Sequence, residues 1–218
     1  MIRLVYVADP MCSWCYGFGP QFSTLLTRVA PFGLRLVMGG LRAYNTKVMD
    51  DALKTTLREH WQHVHEASGL PFAENQFARN DFVYDTEPAC RAVVTMREQD
   101  SERALEYFYA VQAAFYGDGR DVTQGDVLAD IAGEMGVDRG AFAIAWQSAA
   151  IKEATRQDFA LTQRLGVSGF PTVAMEHGGQ LFLVASGFTP ATVLADRIDQ
   201  IAAEPASQVK GTQDQAPH

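Results

Sequence analysis

The chain is poor in cysteine. Its 218 residues hold three, Cys12, Cys15 and Cys90, too few for the disulfide framework of a small secreted protein. Positive charge is also scarce: 18 Lys and Arg stand against 26 Asp and Glu, a formal net charge of −8. That balance argues against nucleic acid or an anionic membrane as a partner. No apolar run is long enough to span a bilayer. Low-complexity tracts and internal repeats are missing. A leader peptide is not expected either: the apolar N-terminal stretch is only about seven residues long and flows directly into the first cysteine pair. A cytoplasmic protein is the expectation from these absences. The length suits one domain, or one domain carrying an insertion.

What the chain does have is Asp9-Pro10-Met11-Cys12-Ser13-Trp14-Cys15. It follows a strand-like run, Ile2 to Ala8, and precedes a helix-like run, Phe22 to Ala30, with Phe22, Leu25, Leu26 and Val29 on one face. Cys12 and Cys15 are therefore placed at a strand-to-helix junction. A helix N-terminus offers unpaired N–H groups and the positive end of the macrodipole, and both favour an anion. A free thiol ionises near pH ~8.5, and helix N-termini lower that value by up to several units. Cys12 is thus the expected nucleophile and the exposed thiol. Cys15, one turn on, is the expected buried partner, and the pair can cycle between dithiol and disulfide.

Cys-x-x-Cys is also half of a zinc site. The other half is missing, since no second such pair exists, and His60, His63 and His65 lie on what reads as an exposed polar helix. No metal is expected, and the strand–motif–helix context favours redox chemistry.

Further along, Leu34 to Met38 reads as a second strand, parallel to the first. Residues 41–150 carry no convincing strand. Helical patterns run from Thr46 to Ser68, from near Thr86, from Ser101 to Tyr116, from a capping signal at Thr123, from Asp138 to Trp146 and from Lys152 to Leu165. Thr172–Glu176 and Gln180–Ala185 flank Gly178-Gly179, a hairpin signal. Thr189-Pro190 reads as N-cap and first residue of a last helix. The chain after residue 204 reads as a disordered tail.

This order of elements, with Cys12-Ser13-Trp14-Cys15, Tyr16-Gly17-Phe18 and Gly166-Val167-Ser168-Gly169-Phe170-Pro171-Thr172, resembles the thioredoxin superfamily, in particular its DsbA-like branch. The likeness is strongest to cytoplasmic dithiol–disulfide oxidoreductases or isomerases of that branch. It implies an α/β fold: a mixed four-stranded thioredoxin sheet flanked by helices, with an inserted all-helical domain. The division would be 1–40 and 151–204 for the core, 41–150 for the insertion and 205–218 for the tail. It implies a cis Pro171 beside the cysteine pair, catalytic Cys12 and Cys15, and substrate contact by Ser13, Trp14, Phe170 and Pro171. The substrates would be protein or small thiols and disulfides. A separate reductant or oxidant, glutathione among the candidates, would recycle the pair, with no cofactor beyond the pair itself. The chain departs from the periplasmic pattern in its Ser13-Trp14 dipeptide, which has no His, and in the bulky Phe170.

Two other classes compete. Glutathione-dependent isomerases and transferases of the kappa-like class share the architecture, but they keep a Ser where Cys12 stands and need no Cys15. A peptide-binding or chaperone module would use the apolar groove without the thiols. Asp9 reads either as a turn closer or as a carboxylate that moves a proton for Cys15. Cys90 reads as a small core residue, and Tyr16 and Phe18 as packing.

Overall fold

The computed structural model describes residues 2–29 and 32–203. The expected tail over 205–218 lies outside them, as does Ala30 at the expected end of the first helix.

The sheet is built around β1, Arg3–Ala8. Five of its six residues are buried, as an apolar run covered on both faces requires. β2, Gly33–Met38, lies parallel to it with Ala8 opposite Met38. β3, Thr172–His177, lies antiparallel on the other side with Tyr6 opposite Val173. β4, Gln180–Ser186, pairs with β3 and completes the order β2-β1-β3-β4. The β3–β4 turn has positive φ at both Gly178 and Gly179 (60° and 82°), the conformation that Gly-Gly supplies without steric cost.

The faces of β1 divide its side chains. Leu4, Tyr6 and Ala8 join the main core beneath α1, Ser13–Arg28. On that side α8, Ala191–Ala203, packs on α1, β3 and β4. Val5 and Val7 meet Val37 and Ala174 on the second face, under Leu161, Val167 and Phe170. Leu161 belongs to α7, Ala149–Arg164.

Between β2 and β3 run α2 (Asp51–Ser68), α3 (Glu87–Gln99), α4 (Ala104–Gln112), α5 (Gly125–Glu134), α6 (Arg139–Gln147) and α7. With α1 and α8 they make eight helices around the mixed sheet among the described residues. α2 begins at Asp51 rather than Thr46. Val48 is engaged in an isolated bridge with Val83, and the Asp50 carboxylate caps Leu53 N at 2.8 Å. α4 begins at Ala104 rather than Ser101, and its last turn widens to a π-helix over Ala113–Gly117. Thr123 is no cap. Its hydroxyl donates to Asp121 instead, and Gln124 stands at the N-cap. The last helix starts one residue late, because Pro190 C=O accepts the first helical bond, from Leu194 N.

Candidate active site

The loop from β1 to α1 is a tight turn in which Cys12 N donates to Asp9 C=O at 3.1 Å. Cys12 is the N-cap of α1, with extended backbone (φ −96°, ψ 116°), and its carbonyl accepts the first helical bond from Tyr16 N. The first turn holds no acidic side chain and no side-chain cap bond. Its N–H groups and dipole therefore meet no acidic side chain in that turn that would compete with the Cys12 sulfur.

Two glycines let other elements close on this helix. A Cβ on Gly17 would meet Val64 Cγ1 of α2 at 2.5 Å, and one on Gly19 would meet the Tyr109 ring of α4 at 3.4 Å. Pro20 sits on the exposed side of the same helix.

Cys12 and Cys15 are both free thiols. Cys12 retains 7% exposure and Cys15 none, so the expected order holds but Cys12 is a recessed sulfur. Burial pushes the Cys15 thiol well above its ordinary range; the neighbouring Cys12 adds to the rise and the Asp9 N–H opposes it.

The second wall comes from the turn before β3. The Phe170–Pro171 peptide bond is cis. Cys12 Sγ lies 3.7 Å from the Phe170 carbonyl oxygen, within sulfur hydrogen-bond range. Pro171 is buried, and Phe170 is half-buried with its ring over Gly39. The six residues singled out in the sequence thus fall into two groups at the C-terminal end of β1. Ser13 and Trp14 are both half-buried on the first turn of α1. Trp14 is less free than its place between two cysteines implies: its ring packs edge-on against Phe188 at 6.0 Å.

Asp9 is fully buried and does more than close a turn. Oδ1 accepts Met11 N at 2.8 Å; Oδ2 accepts Leu41 N at 2.7 Å and the Cys90 thiol at 3.4 Å. Burial raises its carboxyl above the usual range, and these donors pull it back. Cys90 is fully buried in the core.

Sequence reading missed a pair of tyrosines on the other side of the loop. Tyr84 OH donates to Met11 C=O at 2.6 Å and lies 3.3 Å from Tyr116 OH. Tyr116 in turn stacks on Tyr16 at 5.0 Å. Their hydroxyls were the available signal, because a core aromatic with a polar tip needs a partner.

His60, His63 and His65 are exposed on α2. Among the described residues no group of three His, Cys, Asp or Glu is placed to hold a metal. No helix there is long and apolar enough to cross a membrane. A cavity of about 840 Å³ opens at the opposite end of the sheet, among Arg3, Leu34, Arg97 and Asp158, away from the sulfurs.

A model of the DSBA-like thioredoxin domain matches residues 3–202. The chain belongs to that family. It is 32% identical to a candidate protein disulfide isomerase of Nitrosomonas europaea, over 92% of this chain and 97% of that one, with a TM-score of 0.87. It is 29% identical to the cytosolic disulfide reductase DsbM of Pseudomonas aeruginosa, over 93% and 100% of the two chains, with a TM-score of 0.77. DsbM has also been solved with GSH. No curated protein matches the chain. As a DsbA-like oxidoreductase it is a redox enzyme of the thiol–disulfide class.

Proposed function

We propose that this protein exchanges disulfides with protein or small-thiol partners through Cys12 and Cys15, working in the reducing direction in the cytoplasm. The observation that carries this reading is the placing of Cys12 Sγ at the open N-terminus of α1 and 3.7 Å from the Phe170 carbonyl, with Cys15 buried behind it.

The Cys12 thiolate attacks a substrate disulfide. A Cys12–substrate bond forms and one substrate sulfur leaves as a thiolate that takes up a proton. Cys15 then gives up its proton and attacks Cys12 Sγ. The Cys12–Cys15 bond forms, the second substrate thiol departs, and two electrons have passed to the substrate. Ser13, Trp14, Phe170 and Pro171 form the rim that a substrate touches. Residues 1–40 and 151–204 act as the thioredoxin core, and 41–150 as the insertion that closes the far side of the loop.

Glutathione is the proposed source of electrons that returns the pair to the dithiol. DsbM's cytosolic reductase activity and its GSH complex support that direction. Cys15 also argues against the kappa-like reading, which needs no second thiol.

The test is reduction of insulin and of a small disulfide by glutathione, with wild type, Cys12→Ser and Cys15→Ser. Cys12→Ser should be inactive and Cys15→Ser should trap mixed disulfides. Undiminished activity in Cys12→Ser would sink the reading, and a wild type without activity would favour a binding module. Equilibration of the pair with glutathione buffers then fixes direction, since 30 mV corresponds to about 1.4 kcal/mol.

A further inference from the structure

Tyr6 is the middle of β1, flanked by Leu36 and Val173. Its ring is enclosed by Phe22 at 4.2 Å, Phe108 at 5.9 Å and Phe18 at 6.0 Å, and no part of it reaches solvent. A phenylalanine would serve that aromatic cage equally well. Yet the residue carries a hydroxyl, and among the described residues that hydroxyl makes no hydrogen bond in the resting dithiol. A buried hydroxyl without a partner is costly and calls for an explanation. Among the titratable groups, the Cys15 thiol acts on it most, and Tyr6 packs on Phe18, one turn beyond Cys15 on α1.

Cys15 is surrounded by few groups able to support a negative charge. The chief influences on it are the Cys12 thiol, the Asp9 backbone N–H and the Asp9 carboxylate, which opposes ionisation. The resolving step nevertheless requires this buried sulfur to lose its proton.

Building on the exchange reading above, we propose that Tyr6 OH is the hydrogen-bond donor that holds the Cys15 sulfur while it carries negative charge and attacks Cys12 Sγ. Tyr6 keeps its own proton throughout. The proton lost by Cys15 goes to the departing substrate thiolate or to water. The S–S bond forms between Cys15 and Cys12, and the bond from Cys12 to the substrate breaks. Hydrogen bonds to charged acceptors are roughly twice as strong as neutral ones, so the hydroxyl acts mainly in this step and little in the resting dithiol. Tyr6 stays rigid on the central strand, which fixes the donor without reorganisation. Its own burial keeps the phenol well above its usual range, so it donates rather than ionises.

The experiment uses the reduced full chain mixed with dithiobis-nitrobenzoate. Attack by Cys12 releases one thionitrobenzoate, and attack by Cys15 on the resulting mixed disulfide releases a second. Tyr6→Phe should leave the first phase unchanged and slow the second about tenfold at neutral pH, equivalent to ~1.4 kcal/mol. The pH profile of the second phase should move to higher pH. The urea midpoint should hold or rise, because the variant removes a partnerless polar atom. In a Cys12→Ser, Cys90→Ala background, ultraviolet titration of the remaining thiolate should likewise move upward when Tyr6→Phe is added. A second phase of wild-type rate and pH profile in Tyr6→Phe would overturn the proposal. So would an unchanged titration of Cys15. A wild type that releases only one thionitrobenzoate would instead defeat the exchange reading itself, and the two failures are distinct.

Discussion

The Asp9 carboxylate accepts the Leu41 amide at 2.7 Å, tying the turn before Cys12 to the first residues beyond β2. Its other oxygen holds Met11 N. One side chain thus pins the cysteine loop to the chain's entry into the helical region. Asp9→Asn keeps a single carbonyl acceptor, so either the buried Met11 amide or the part-buried Leu41 amide loses its partner. The expected cost is about 1–3 kcal/mol, read as a lower urea midpoint at unchanged m-value. Asp9→Ala should cost more, because both amides are orphaned. Equal stability of Asp9→Ala and wild type would show that the clamp contributes nothing.

Thiol reactivity should follow burial. Cys15 and Cys90 are fully enclosed, and burial is the main cause that raises both thiols well above their ordinary value. An alkylating reagent at pH 7 to 9 should therefore label Cys12 long before the other two, as peptide mass mapping would reveal. Comparable labelling of Cys15 would contradict the assignment of roles.

The same two thiols set a stability trend. Each keeps its proton in the folded state at pH values where the unfolded chain has lost it. Their contribution is complete below the unfolded value of about 8.5. It is lost as pH rises from there toward the raised folded values. Reduced wild type should lose stability between pH ~8.5 and ~10. Cys90→Ala should lose less over that window, by at most about 1.36 kcal/mol per pH unit for one group. Parallel curves for the two proteins would refute this account of Cys90.

Gly39 is a position where the site is sensitive to one methyl group. A Cβ there would stand 2.2 Å from Phe170 Cε1. The ring must then leave its place over β2 and drag on the carbonyl that faces Cys12. Gly39→Ala should destabilise by about 1–3 kcal/mol, the usual cost of overpacking, and slow disulfide exchange. Phe170→Ala should remove most of that penalty in the double variant. Strict additivity of the two changes would mean they are not in contact.

Local signals carried most of the fold. The apolar run of β1 and the paired glycines of the hairpin are both legible, because each is settled within a few residues. The site was legible as two short motifs, Cys12–Cys15 and Phe170–Pro171, while their meeting rested on a family likeness. What escaped was long-range. Asp9 and Cys90 are 81 positions apart, and nothing near Cys90 in sequence distinguishes an apolar core thiol from one donating to a buried carboxylate. Tyr84 and Tyr116 likewise read as generic core aromatics until the fold brings both to Met11 and Tyr16. The false cap at Thr123 failed for a local reason. Both the N–H and the hydroxyl of Thr123 donate to the Asp121 carboxylate, which holds it in the turn before the helix.

The segment Ser13–Pro20 contains two glycines and a proline within eight residues, a composition that opposes helix formation by about 1 kcal/mol per glycine and more for proline. As an isolated peptide it would be unstructured in water. Its helical form is lent to it by Val64 on Gly17, Tyr109 on Gly19 and Tyr116 on Tyr16. Catalytic competence is then a readout of assembly. Undocking α2 and α4 would dissolve the first turns of α1, take away the N-terminus on which Cys12 sits and leave two ordinary thiols on a loose chain. Partially unfolded forms would lose the paired chemistry of Cys12 and Cys15 and keep only the unselective reactivity of exposed thiols.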